Sequence, residues 1–158
     1  VFLKRVFINR LANATQWIQL NQENLSDKHI IVLRVPDFSI GLHSYYYAKT
    51  RGFKMPLSWH TLSWTNCRYK ITVTTNNTFE MELINGGIET NDFLKTGTAV
   101  KLDKYTAIVK KVTNGQVRTV EFVFQQPLTG HTFQFLSWSD GILKPIKLPD
   151  VGEEIVLN

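Results

Sequence analysis

The chain has 158 residues, 43% of them hydrophobic and 20% charged, a balance that suits one ordinary globular domain with a real core and excludes a disordered chain. No run in it approaches the roughly 18 consecutive apolar residues that a transmembrane helix needs, and its single cysteine, Cys67, excludes an intrachain disulfide and favours a reducing compartment. The net charge of +5 is uneven: residues 1–70 carry ten Lys or Arg against three acids, and residues 71–158 carry eight against ten. That asymmetry points to a polyanionic partner for the first half or to head-to-tail contact between copies.

The opening residues, VFLKRVFINR, place charges where a secretory leader would have its apolar stretch, so a soluble mature chain is expected. In FLKRVFINRLANATQWI, Leu3, Phe7, Leu11, Ala14 and Ile18 recur at helical spacing. The β-branched and aromatic residues of RVFIN and TQWIQL favour instead two strands joined by a turn at LANAT. HIIVLRV reads as a buried strand that ends at Pro36, whose missing N–H cannot serve a central ladder. Residues 38–64 carry no clear pattern and are expected to form a long irregular arm.

The second half reads as antiparallel hairpins. In RYKITVTTNNTFEMELI the apolar residues alternate, and matching their faces sets Val73 opposite Phe79, Ile71 opposite Met81 and Tyr69 opposite Leu83. The same register sets Lys70 against Glu82 and leaves Thr75-Asn76-Asn77 as a three-residue loop, with Asn77 in the left-handed region. Asn114-Gly115 marks a second, two-residue hairpin, which pairs Val109 with Val120, Ala107 with Phe122, Tyr105 with Phe124 and Val112 with Val117. TAVKLD, HTFQFLSW, ILKPIKL and EEIVL are short strands between turn residues. The expected fold is all-β: one antiparallel sandwich or small barrel spanning 1–158, with the arm at 38–64.

Catalytic chemistry has little support. His29, His43, His60 and His131 stand far apart and in no metal-ligand spacing, and phosphate-cradling or hydrolase-elbow motifs are absent from the sequence. Gly86-Gly87 reads as a turn or bulge after a strand, and Cys67 as a small packed thiol. Of the carboxylates, Glu82 already faces Lys70, and Glu153-Glu154 lie near the C-terminus. No enzyme activity, cofactor, metal or small-molecule substrate is therefore inferred.

What stands out is SYYYAKTRGFK and its continuation to Trp64. Tyr45, Tyr46, Tyr47, Phe53, Trp59 and Trp64 supply flat aromatic faces, and Lys49, Arg51 and Lys54 supply charge. These residue types are enriched in the cores of protein interfaces. The expected role is a structural subunit of a large assembly, a virus or bacteriophage particle (head, connector or tail), in the virion or host cytoplasm. In that role the aromatics anchor copies of the chain and other subunits, and the cations meet acidic surface or nucleic acid. Single-stranded nucleic-acid binding by a β-barrel is the alternative, since bases stack on such rings while cations follow phosphates. A glycan-binding β-sandwich comes third.

Overall fold

A computed structural model describes residues 2–64, 67–86 and 94–158. The chain is rich in strands, with ten strands and two helices of more than one turn among the described residues. It divides into two compact units, Val1–Asn66 with His131–Lys147, and Cys67–Gly130 with Leu148–Asn158. Among the described residues neither sheet closes into a barrel.

The first unit opens with a helix, α1 (Phe2–Leu20), where two strands were favoured. The helical spacing in the sequence decides the matter. Leu11, Ala14, Thr15 and Ile18 lie on one face of α1, each 5% exposed or less, and Phe7 and Trp17 pack beside them. In two short strands the same residues would point to both sides, so burial of one stripe overrides the β propensity of Val6, Phe7 and Ile8. Strand β1 (His29–Val32) follows, and then α2 (Phe38–Thr50) and β2 (Ser58–Thr61) occupy the segment expected to be irregular.

After the residues of the second unit the chain returns as β8 (Phe133–Ser139) and β9 (Ile142–Pro145). The sheet order is β2-β1-β8-β9, with β1 parallel to both β2 and β8, and β9 antiparallel to β8. The uniformly antiparallel pairing expected from the hairpins therefore does not extend to this sheet. Its central strand explains why. Ile30, Ile31, Val32 and Leu33 are all fully buried, the continuous apolar run of a strand covered on both faces. Ile30 and Val32 join Leu11, Ala14, Ile18, Ile40, Ala48, Leu136 and Leu143 in the core beneath the helices.

The second unit is a six-stranded antiparallel sheet built from β3 (Tyr69–Thr75), β4 (Thr78–Leu83), β5 (Ala99–Lys101), β6 (Tyr105–Thr113), β7 (Gln116–Phe124) and β10 (Glu154–Leu157). Their order is β10-β3-β4-β7-β6-β5. Both hairpin registers are those the sequence predicts, pair by pair. Lys70 Nζ lies 2.9 Å from Glu82 Oε2 and 3.6 Å from Glu154 Oε2. At the second turn Asn114 and Gly115 both take positive φ, 51° and 71°.

The first turn differs from expectation. Thr75 pairs with Thr78 after a register shift beyond Val73, which leaves only Asn76 and Asn77 between the strands. Asn77 does not adopt positive φ. A bulge absorbs the extra residue, and the Asn77 side chain is used elsewhere: its Nδ2 donates to the Phe124 carbonyl at 2.9 Å, while the Asn77 backbone carbonyl accepts the Phe124 N–H at 2.8 Å. On one face of this sheet Phe79, Tyr105, Phe122 and Phe124 pack ring on ring with centroids 5.2–5.7 Å apart. Gly86 follows β4 at φ 74°, a bend after the strand as expected, with Cys67 Sγ beside it; Gly87 lies outside the described residues.

Candidate interaction surface

The tyrosine run is helical, and the reason starts at Pro36-Asp37. Asp37 is extended and caps α2, its Oδ1 accepting the Ile40 N–H at 3.0 Å, and its Oδ2 meets Arg10 Nη2 of α1 at 2.7 Å. From there each residue turns by about 100°. Ile40, Gly41, Ser44 and Ala48 face the core, and Ser44 Oγ donates to the Ile40 carbonyl. His43 meets Phe7 of α1 edge-on at 5.9 Å.

Three successive tyrosines on a helix cannot share a face, and the structure separates them. Tyr47 packs against the unit's core, with the Arg51 guanidinium 5.7 Å above its ring. Tyr46 is 59% exposed. Tyr45 is half-buried and meets Tyr46 edge-on at 5.6 Å. The outward face of α2 is completed by Phe38 and Leu42, 54% and 45% exposed, and by Lys49. Phe38, Leu42, Tyr45 and Lys49 follow one another at helical spacing, and Tyr46 borders them. Trp64, 47% exposed, stands on the other border and packs edge-on against Phe38 at 5.3 Å.

The nine residues singled out in the sequence therefore fall into three groups. Tyr45, Tyr46, Lys49 and Trp64 share this exposed face. Tyr47, Phe53 and Trp59 pack against the core cluster. Arg51 and Lys54 are exposed near the C-terminal end of α2. Sequence reading missed Phe38 and Leu42, because their role depends on α2 being a helix. The signal that would have found them is the Pro36-Asp37 cap three residues before Ile40.

A groove of about 400 Å³ runs between α1 and α2, with Ala12 and Thr15 on one side, Tyr47 and Phe53 as aromatic walls, and Gln19, Thr50 and Arg51 at the rim. Elsewhere, the parallel β1–β2 pairing sets His29 opposite Ser58, with Nδ1 and Oγ 2.7 Å apart. The imidazole also packs against Phe133 at 5.9 Å. No cluster of three His, Cys, Asp or Glu suited to a metal ion occurs among the described residues. No helix among them is long and apolar enough to cross a membrane.

Comparison with known protein families, with curated proteins and with solved structures finds no match to this chain.

Proposed function

We propose that this protein works by binding, as a structural subunit that docks on neighbouring chains of a large assembly through the outward face of α2. The observation that carries the reading is the row of exposed Phe38, Leu42 and Tyr46 with half-buried Tyr45 beside them, bordered by Trp64. A helix that already buries one face and presents a second apolar stripe to solvent is built to be covered by another chain. A virus or bacteriophage particle (head, connector or tail) is the setting we propose, because strand-rich subunits making repeated contacts are common components of such particles.

The test is the mass of the purified protein by light scattering at low and high salt. Rings, tubes or large oligomers, whichever surface joins the copies, support the subunit reading. A monomer at every concentration removes it.

One observation favours a second reading, single-stranded nucleic-acid binding: the exposed Tyr46 and Trp64 rings share their surface with Lys49 on a helix of a basic unit. That reading requires affinity for an oligonucleotide that falls steeply with salt and is lost on Tyr46→Ala. Flat salt dependence would end it.

A further inference from the structure

The outward face of α2 is apolar along its centre, and its occupant can be narrowed by charge and by area. The unit that carries it, residues 1–66 with 131–147, holds ten Lys or Arg against four Asp or Glu. Two of those four acids are already paired, Asp37 with Arg10 at 2.7 Å and Asp140 with Lys144 at 2.6 Å. Against the face of a second copy, this unit would meet its own excess of positive charge.

Area points the same way. Phe38, Tyr46 and Trp64 are each about half exposed, and with side chains of roughly 150–250 Å² the patch offers on the order of 400 Å². A stable association of two folded partners needs about 800 Å² from each side. The row Phe38, Leu42, Tyr45 instead lies at i, i+4 and i+7, one narrow stripe of α2 that a single amphipathic segment of a partner covers by packing along it.

We infer that this face docks an acidic amphipathic segment of a different protein chain, apolar residues against Phe38, Leu42, Tyr46 and Trp64 and carboxylates towards Lys49. It rests on the reading of the protein as a subunit that docks on other chains, and it names the chemistry of that neighbour.

The experiment is a selection of displayed random peptides of about twelve residues, enough for three helical turns, on the intact wild-type protein. Parallel selections use Leu42→Glu and, as a control on a solvent-facing leucine of α1, Leu20→Glu. Leu42 and Leu20 are 45% and 74% exposed, so neither substitution disturbs the core, and circular dichroism checks the fold.

The expected result is enrichment of peptides combining Asp or Glu with Leu, Phe or Trp. Their binding should weaken with salt, drop by at least about tenfold on Leu42→Glu, the equivalent of one well-buried anchor, and persist on Leu20→Glu. Enriched peptides that are neutral or basic, binding indifferent to Leu42→Glu, or no enrichment at all would each overturn the inference. Light scattering separates it from the broader reading. Large oligomers of the wild type alongside a failed selection leave the structural-subunit reading standing without the acidic partner. A monomer that selects acidic peptides retains the docking face and removes the self-assembling subunit.

Discussion

Trp64 lies across the backbone of Gly41: a Cβ added at residue 41 would fall 2.5 Å from Trp64 Cδ1 and 3.1 Å from Val35 Cγ2. Glycine in mid-helix costs about 1 kcal/mol relative to alanine, so its presence here is explained by the indole that occupies the missing side chain's place. Trp64 is half exposed and free to swing outward, whereas Val35 is buried and must give only a few tenths of an ångström. Gly41→Ala is therefore expected to gain helix propensity and lose the Phe38–Trp64 ring contact, about 0.5–1.5 kcal/mol. The net change in stability is within about 1 kcal/mol. The side chain of Trp64 moves off the helix. Acrylamide quenching of Trp64, isolated by difference against Trp64→Phe, should rise in Gly41→Ala; unchanged quenching with a large fall in Tm would show that the core had taken the strain instead.

Asn77 fastens the β3–β4 turn to the end of β7 through its side-chain amide and its backbone carbonyl, both on Phe124. Its Oδ1 also accepts from Thr75 Oγ1 at 2.9 Å. Asn77→Ala keeps the backbone bond and leaves the Phe124 carbonyl short of one donor, an expected loss of about 1–2 kcal/mol in denaturant unfolding. Asn77→Asp should lose at least as much, since a carboxylate offers that carbonyl no donor. Equal stability of all three forms would mean that solvent replaces the amide without cost.

The contrast between the two units shows what a sequence makes legible. A hairpin is local, so alternation and turn chemistry suffice, and the pairs from Tyr69–Leu83 to Val112–Val117 were readable residue by residue. The turn at Asn77 was misread because a bulge and a side-chain bond to a distant strand replaced local φ chemistry. β1, β2 and β8 pair in parallel across as much as about a hundred residues, and no turn signal records such a pairing. For α1 the stripe was visible but β propensity weighed against it, and burial of Leu11, Ala14 and Ile18 decided the outcome. For α2 the run of tyrosines and Gly41 concealed a helix that its cap announced. The candidate surface was consequently half legible: Tyr45, Tyr46, Lys49 and Trp64 stood out by composition, while Phe38 and Leu42 needed the helix.

Tyr105 ties pH to the stability of the second unit. Burial among Phe122 and Phe124 pushes its phenol from 10.0 up to about 12. The folded pKa is raised, so the contribution is complete below pH 10, where both states hold the proton, and is lost as pH rises from 10 through 12 while only the unfolded chain ionises. A factor of ten in an ionisation constant is worth about 1.4 kcal/mol. Allowing for screening by nearby solvent, the expected decline is on the order of 2 kcal/mol. Urea titrations of wild type and Tyr105→Phe should follow parallel curves below about pH 9 and diverge above 10, with only the wild type losing this component. Parallel curves at all pH values would show that the phenol reaches water in the folded state.

Trp59 and Trp64 offer the sharpest separation of core from surface. Trp59 packs against the core of its unit, and its Nε1 is buried with no hydrogen-bond partner among the described residues. An unsatisfied buried N–H costs about 1–3 kcal/mol. Trp59→Phe removes that cost along with part of the ring, so its stability should stay within about 1.5 kcal/mol of wild type, whereas Trp59→Ala should lose about 3–5 kcal/mol. Neither change touches the exposed face of α2, and Trp59→Phe should leave the binding of a partner segment there unaltered. Trp64→Ala should do the reverse, with a smaller loss of stability and weaker binding of a partner segment on α2. If Trp59→Phe abolished that binding while Trp64→Ala left it intact, the docking surface would have to be sought at the β2 edge and not on α2.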